Sequence, residues 1–164
     1  MLQRKLNGLM IGMSLVWLSG GVISQAAEPS PEQISAREQA FSEMLTNSVL
    51  VGQFSIDGQD VKEPREERYE IESVKKYQGD LWTFTARIKY GKNDLKIPMN
   101  LKVVWAEDTP MVSLTDVTVP PLGTFTARVF FFDNRYAGTW QHGDVGGHMW
   151  GRIEHETSAE VEQK

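Results

Sequence analysis

Cysteine is absent from the 164 residues. Thiol catalysis, disulfide staples and thiolate metal sites are therefore excluded, and so is a bacterial-type lipid anchor, which needs a Cys at its cleavage site. Nor is there an excess of basic charge. Lys and Arg number 17 against 22 Asp and Glu, a formal charge of −5 with His neutral. A surface of that sign repels phosphate backbones, which argues against nucleic acid as a partner. Gly-x-Ser-x-Gly, a P-loop, a dinucleotide fingerprint, His-Glu-x-x-His and an Asn-x-Ser/Thr sequon are all missing. No motif dictates a reaction or calls for a cofactor, so the reading leans away from an enzyme. The balance of 40% hydrophobic and 24% charged residues is that of a globular chain.

The first 26 residues read as a signal peptide. Arg4 and Lys5 open it, an uncharged run from Leu6 to Ala27 follows, and Ser24-Gln25-Ala26 supplies small residues for a cut after Ala26. The alternative is an uncleaved anchor, because the run approaches the ~20 residues that span a bilayer. Ser19, Gly20, Gly21 and Ser24 lower the hydrophobicity of its second half and favour cleavage. Cleavage takes the charge from −5 to −7 and leaves about 138 residues, one ordinary domain. Periplasmic or secreted is the expected location, with no stable membrane insertion after processing; freedom from cysteine suits a bacterial periplasm.

Residues 27–48 form a helical segment. Ser30-Pro31-Glu32-Gln33 combines an N-cap, a first-position proline and a reciprocal cap. Ile34, Phe41, Met44 and Leu45 then share one face, and the helix is expected to stop near Asn47. From residue 49 the apolar period changes from 3.6 to 2. Strands are expected over 49–56, 68–77, 81–90, from the turn at 91–94 to Trp105, and over 111–119, 124–132, 136–142 and 148–155, with a polar tail at 156–164. Pro98 implies an edge or a bulge. Short turns and the lack of a second helix indicate a mainly β protein: a helix plus an antiparallel meander of about eight strands, closed or partly closed into a barrel over 49–155. Phe130 and Phe132 must face away from Phe131; either the helix covers that outer face, which is the expectation, or it is a partner surface.

Gly52-Gln53-Phe54 on the first strand and Arg152 on the last resemble the calycin superfamily, which includes the lipocalins. Phe54 takes the place of the Trp in that superfamily's Gly-x-Trp. The resemblance implies that Arg152 packs over the Phe54 ring to close the barrel base. It also implies a cup for a small, mostly apolar molecule.

Two sets of residues are candidates for chemistry. Trp82, Phe84, Trp105, Trp140 and Trp150, on alternating strands, are the expected ligand-binding set for an apolar or aromatic molecule; the same positions serve equally as packed core. In the second set, a hairpin with a five-residue loop at 143–147 would put His142 opposite His148 and Trp140 opposite Trp150. With Asp144 in that loop, the two imidazoles could offer three ligands to zinc or copper, or act as a proton-transfer pair. Cross-strand packing around a glycine-rich turn is the plainer account. Three functions stay open: a non-enzymatic binder of a small molecule, a metal-dependent or acid–base enzyme built on His142 and His148, and a structural or interaction module of the cell envelope. Ligand and oligomeric state are left open.

Overall fold

The computed structural model describes residues 28–59, 64–90 and 93–155; the expected signal peptide and polar tail lie outside them. One helix, α1 (Pro31–Leu45), precedes eight strands: β1 (Ser48–Phe54), β2 (Arg65–Gln78), β3 (Leu81–Tyr90), β4 (Asn93–Ala106), β5 (Thr109–Val119), β6 (Gly123–Phe132), β7 (Arg135–His142) and β8 (Val145–His155). Each strand is antiparallel to the next, and β8 returns to pair with β1, so the sheet closes. The expected class is therefore what the chain forms, and its form is compatible with a calycin-like barrel.

The helix begins as its residues dictate. Ser30 Oγ accepts from the Gln33 amide at 3.3 Å, and Gln33 Oε1 accepts from the Ser30 amide at 2.8 Å. It ends where Thr46 turns extended and Asn47 takes a left-handed φ of 54°. Beyond that point β1 starts late relative to β2, since Ser48 pairs with Ile71. The last turn of the helix covers the β2 edge left over. The Asn47 amide donates to Glu72 O at 3.2 Å, Ser42 Oγ donates to Val74 O at 2.5 Å, and Thr46 Oγ1 accepts from the Val74 amide at 3.1 Å. An edge that would otherwise invite pairing is thereby satisfied.

The apolar face of α1 enters the end of the barrel rather than covering an outer wall. Phe41 meets Trp82 at 5.3 Å, Trp105 at 5.7 Å, Phe131 at 6.0 Å and Phe84 at 6.2 Å between ring centroids, contacts from β3, β4 and β6 onto one side chain. Arg37 lies 4.7 Å from the Trp105 ring centroid and donates to Glu107 O at 2.9 Å. α1 accordingly does not cover Phe130 and Phe132, which are 47% and 59% exposed among the described residues, whereas Phe131 between them is buried. The reason is geometric: the barrel end offers the stripe several aromatic edges at once, and the outer wall offers it two rings.

Two further expectations are corrected by the register. Strands β7 and β8 join through Gly143-Asp144 alone, with His142 opposite Val145. Gly143 supplies the positive φ of 60° that a tight two-residue turn needs, so the five-residue loop is not formed. Arg152 stands exposed opposite Val51 and pairs with Glu154, while the Phe54 ring is met edge-on by Trp140 at 5.6 Å. Arg152 therefore does not close the base; helix α1 closes one end instead. Pro98 fits its expectation of an edge. It pairs with Thr85 on β3, but pairing of β4 with β5 covers only Lys102–Ala106 against Thr109–Ser113. Pro98 thus lies on a part of β4 that is paired on one side only, where a missing N–H is tolerated.

Candidate functional site

Along each strand the inward positions divide the barrel into two halves. On the helix side Val74, Trp82, Phe84, Ala86, Leu101, Val103, Val112, Val129 and Phe131 are buried around Phe41 and Leu45. Towards the other end the same inward faces continue through Ile97 and Met99 on β4, Leu114 and Val117 on β5, Phe125 and Ala127 on β6, Trp140 on β7 and Met149 on β8. All of these keep part of their surface accessible. Leu95, Ile97 and Met99 also lie past the last β4–β5 pair, beside the register shift between Leu114 and Val117. The wall is looser there, and the inner surface is reached more easily.

A polar cluster marks the boundary between the halves. The register sets Tyr136 opposite Gly151, Gly151 opposite Gly52, and Gly52 opposite Glu67, one lateral row across four strands. The two glycines let the Tyr136 ring lie flat along the wall. A Cβ on Gly52 would stand 2.3 Å from the Tyr136 hydroxyl, and one on Gly151 would stand 2.7 Å from its ring. Tyr136 thereby reaches Glu67 and donates to its Oε1 at 2.7 Å, while Tyr69, one inward position further along β2, donates to Oε2 at 3.0 Å. Tyr136 is 1% exposed and leans on Phe131, which in turn packs against Phe41. The plug end thus supports the cluster from below.

The electrostatics follow from burial. Loss of water pushes the Glu67 carboxyl above its ordinary range, although both phenol hydrogen bonds pull the other way. Tyr69 and Tyr136 are pushed up, by burial first and then by their hydrogen bonds to Glu67 and its negative charge. Both phenols therefore stay protonated and act as donors. Among the described residues no Lys, Arg or His pairs with Glu67. A carboxylate fixed by neutral donors beside the apolar inner wall is a group that can orient a ligand.

The far rim is organised by Ser55. Its amide donates to His148 O at 2.8 Å, its Oγ accepts from the His148 amide at 3.1 Å, and its carbonyl accepts from Trp140 Nε1 at 3.2 Å. Gly147 permits this close crossing, since a Cβ there would meet Ser55 O at 2.0 Å. Beside it the His142 imidazole stacks on Phe125, with ring centroids 4.5 Å apart.

The residues expected from sequence separate accordingly. Trp82, Phe84 and Trp105 surround Phe41 in the closed half, and of the five only Trp140 belongs to the accessible half. Trp150 points outward, opposite Ala137 and Gln53 and 38% exposed. His142 shares the inward parity of Trp140, whereas His148 faces out opposite Thr139, so the two imidazoles do not meet. Asp144 sits exposed in the turn, and no group of three His, Cys, Asp or Glu able to hold a metal ion occurs among the described residues. Sequence reasoning missed Glu67, Tyr69 and Tyr136: the second strand is expected to start only at residue 68, whereas β2 begins at Arg65 and takes Glu67 into the sheet. The signal was its period: Glu67, Tyr69 and Ile71 alternate in phase.

Phe130, Phe132 and Trp150 also rim a groove of about 1150 Å³ on the outer wall, together with Arg68, Arg135 and Arg152, and its lining includes Gly52, Gly151, Tyr136 and Glu67, so the polar cluster borders this groove as well as the interior. Arg135 pairs with Asp133 and Arg152 with Glu154, so much of its positive charge is matched locally.

These features define a small closed antiparallel β-barrel with a helical plug, a form consistent with a binding protein. No family model matches the chain, and no curated protein matches it. Among the described residues no helix is long and apolar enough to cross a membrane.

Proposed function

We propose that the protein is an exported, non-enzymatic barrel of the calycin type that binds a small apolar or aromatic molecule in its open half. The observation that carries this reading is the Glu67–Tyr69–Tyr136 cluster, placed beneath an inner wall that stays accessible. Ligand sites are mostly apolar surfaces with a few convergent polar groups, and this half has both. Met99, Leu114, Val117, Ala127, Trp140 and Met149 supply the wall. Export rests on the leader-like first 26 residues. Titration of the mature protein with a neutral fluorescent apolar dye tests the reading. Saturable binding at one equivalent is expected, and Leu114→Trp, which fills the wall, should abolish it with the fold intact. A folded protein that leaves the dye unbound overturns the reading.

A second reading, an envelope interaction module, is favoured by the exposed Phe130, Phe132 and Trp150 around the outer groove. Its expected signature is self-association in analytical ultracentrifugation that Phe132→Glu removes without changing dye binding. A monomer at high concentration counts against that reading.

A further inference from the structure

We infer that the molecule bound in the open half carries a basic nitrogen, an apolar amine, received by the Glu67 carboxylate. The inference rests on the proposed interior site and specifies its ligand chemistry. Three observations lead to it. Glu67 is the acidic group at the boundary of the two halves, and both its oxygens are fixed, one by Tyr136 and one by Tyr69. A carboxylate offers about four lone-pair positions, so two phenols leave it able to accept further N–H donors without giving up either tyrosine. No cationic side chain pairs with it among the described residues: of the arginines that line the outer groove with Glu67, Arg68 pairs with Glu70, Arg135 with Asp133 and Arg152 with Glu154. Removing a carboxylate from water without a partner is costly, and an ammonium arriving on an apolar body offsets that cost through a short, charge-assisted hydrogen bond.

The two phenols also set selectivity. Both already donate to Glu67, so they are not free to donate to an incoming anion, and a fatty-acid-like carboxylate would lie beside a fixed negative charge. The apolar wall of Met99, Leu114, Val117, Ala127 and Met149 is indifferent to the head group and takes up the hydrocarbon or aromatic body. Preference therefore comes from one residue, while general affinity comes from the wall.

The experiment uses three probes with the same body, dodecylamine, dodecanol and dodecanoate. Each, below its micelle concentration, competes for a neutral apolar dye bound to the mature protein. Amine binding at least about tenfold tighter than carboxylate is expected. Glu67→Gln, nearly the same shape, should bring the amine and the carboxylate to similar affinity. Because the mature surface is acidic, the comparison is repeated in roughly 1 M salt, where charge interactions are screened beyond about 3 Å. An interior contact keeps its preference there, and surface attraction loses it. Dodecanoate binding as tightly as the amine, or a preference that survives Glu67→Gln or vanishes in salt, overturns the inference and leaves the binding reading standing. If neither the dye nor any probe binds the folded wild-type protein, the interior site itself is refuted, and the amine preference with it.

Discussion

The closed and open ends of the barrel hold similar side chains and do different things with them. At the closed end Trp82, Phe84, Trp105 and Phe131 point inward, and Phe41 comes from outside the sheet to fill the space between them. At the open end the aromatics pair along the rim, Phe54 with Trp140 and Phe125 with His142. No helix enters there among the described residues, and the inner wall keeps accessible surface. Aromatic content therefore does not locate a binding site in a small barrel. What decides is whether another element occupies the middle, since side chains alone come close to filling eight strands.

Several substitutions break or sharpen this contrast. The largest effect is expected from Phe41→Ala, which removes the ring at the centre of the closed half. A loss of about 3–5 kcal/mol in urea unfolding is expected, enough to open that half to apolar dye. Gly52→Ala should cost about 3 kcal/mol, the upper part of the range for overpacking, because the added Cβ would lie 2.2 Å from Trp150 O and 2.3 Å from the Tyr136 hydroxyl. It is also expected to displace Tyr136 from Glu67, which near-ultraviolet circular dichroism would register.

A smaller effect is expected from pH. Burial holds the Glu67 carboxyl above its ordinary 4.5, so the folded chain keeps this proton to higher pH than the unfolded chain does. The contribution of Glu67 to stability is then greatest below the unfolded value and declines as pH rises through the folded one. Melting temperatures of wild type and Glu67→Gln should converge as pH falls towards 4.5 and diverge, in favour of the variant, above the folded value. Parallel curves would show that the carboxyl is not held up. Smallest of all, His148→Ala should change stability by no more than about 0.5 kcal/mol and leave metal content unchanged by elemental analysis, since the imidazole faces out and away from His142.

Much of the architecture was legible in the residues. The Ser30–Gln33 cap, the change of period after the helix, and the turn residues between strands are local signals read over a few positions. The edge implied by Pro98 was legible for the same reason, because a missing N–H constrains its own neighbourhood. The His142–His148 pairing was not legible. A turn of two residues in place of five shifts the register by three, an odd number that sends His148 to the opposite face, and glycine-rich sequence allows several turn lengths. Phe54 and Arg152 likewise stood in motif positions without the contact that the resemblance implied.

By itself the sequence determined a mainly β chain with one capped helix and alternating inward apolar residues, because these depend on backbone propensity and short-range period. Only the tertiary structure decided that the helix plugs the barrel, that β8 pairs with β1, and that Tyr136 crosses two glycines to join Tyr69 at Glu67. Those outcomes depend on register between strands distant in sequence and on which surface best receives an apolar face, and neither is encoded within any one segment.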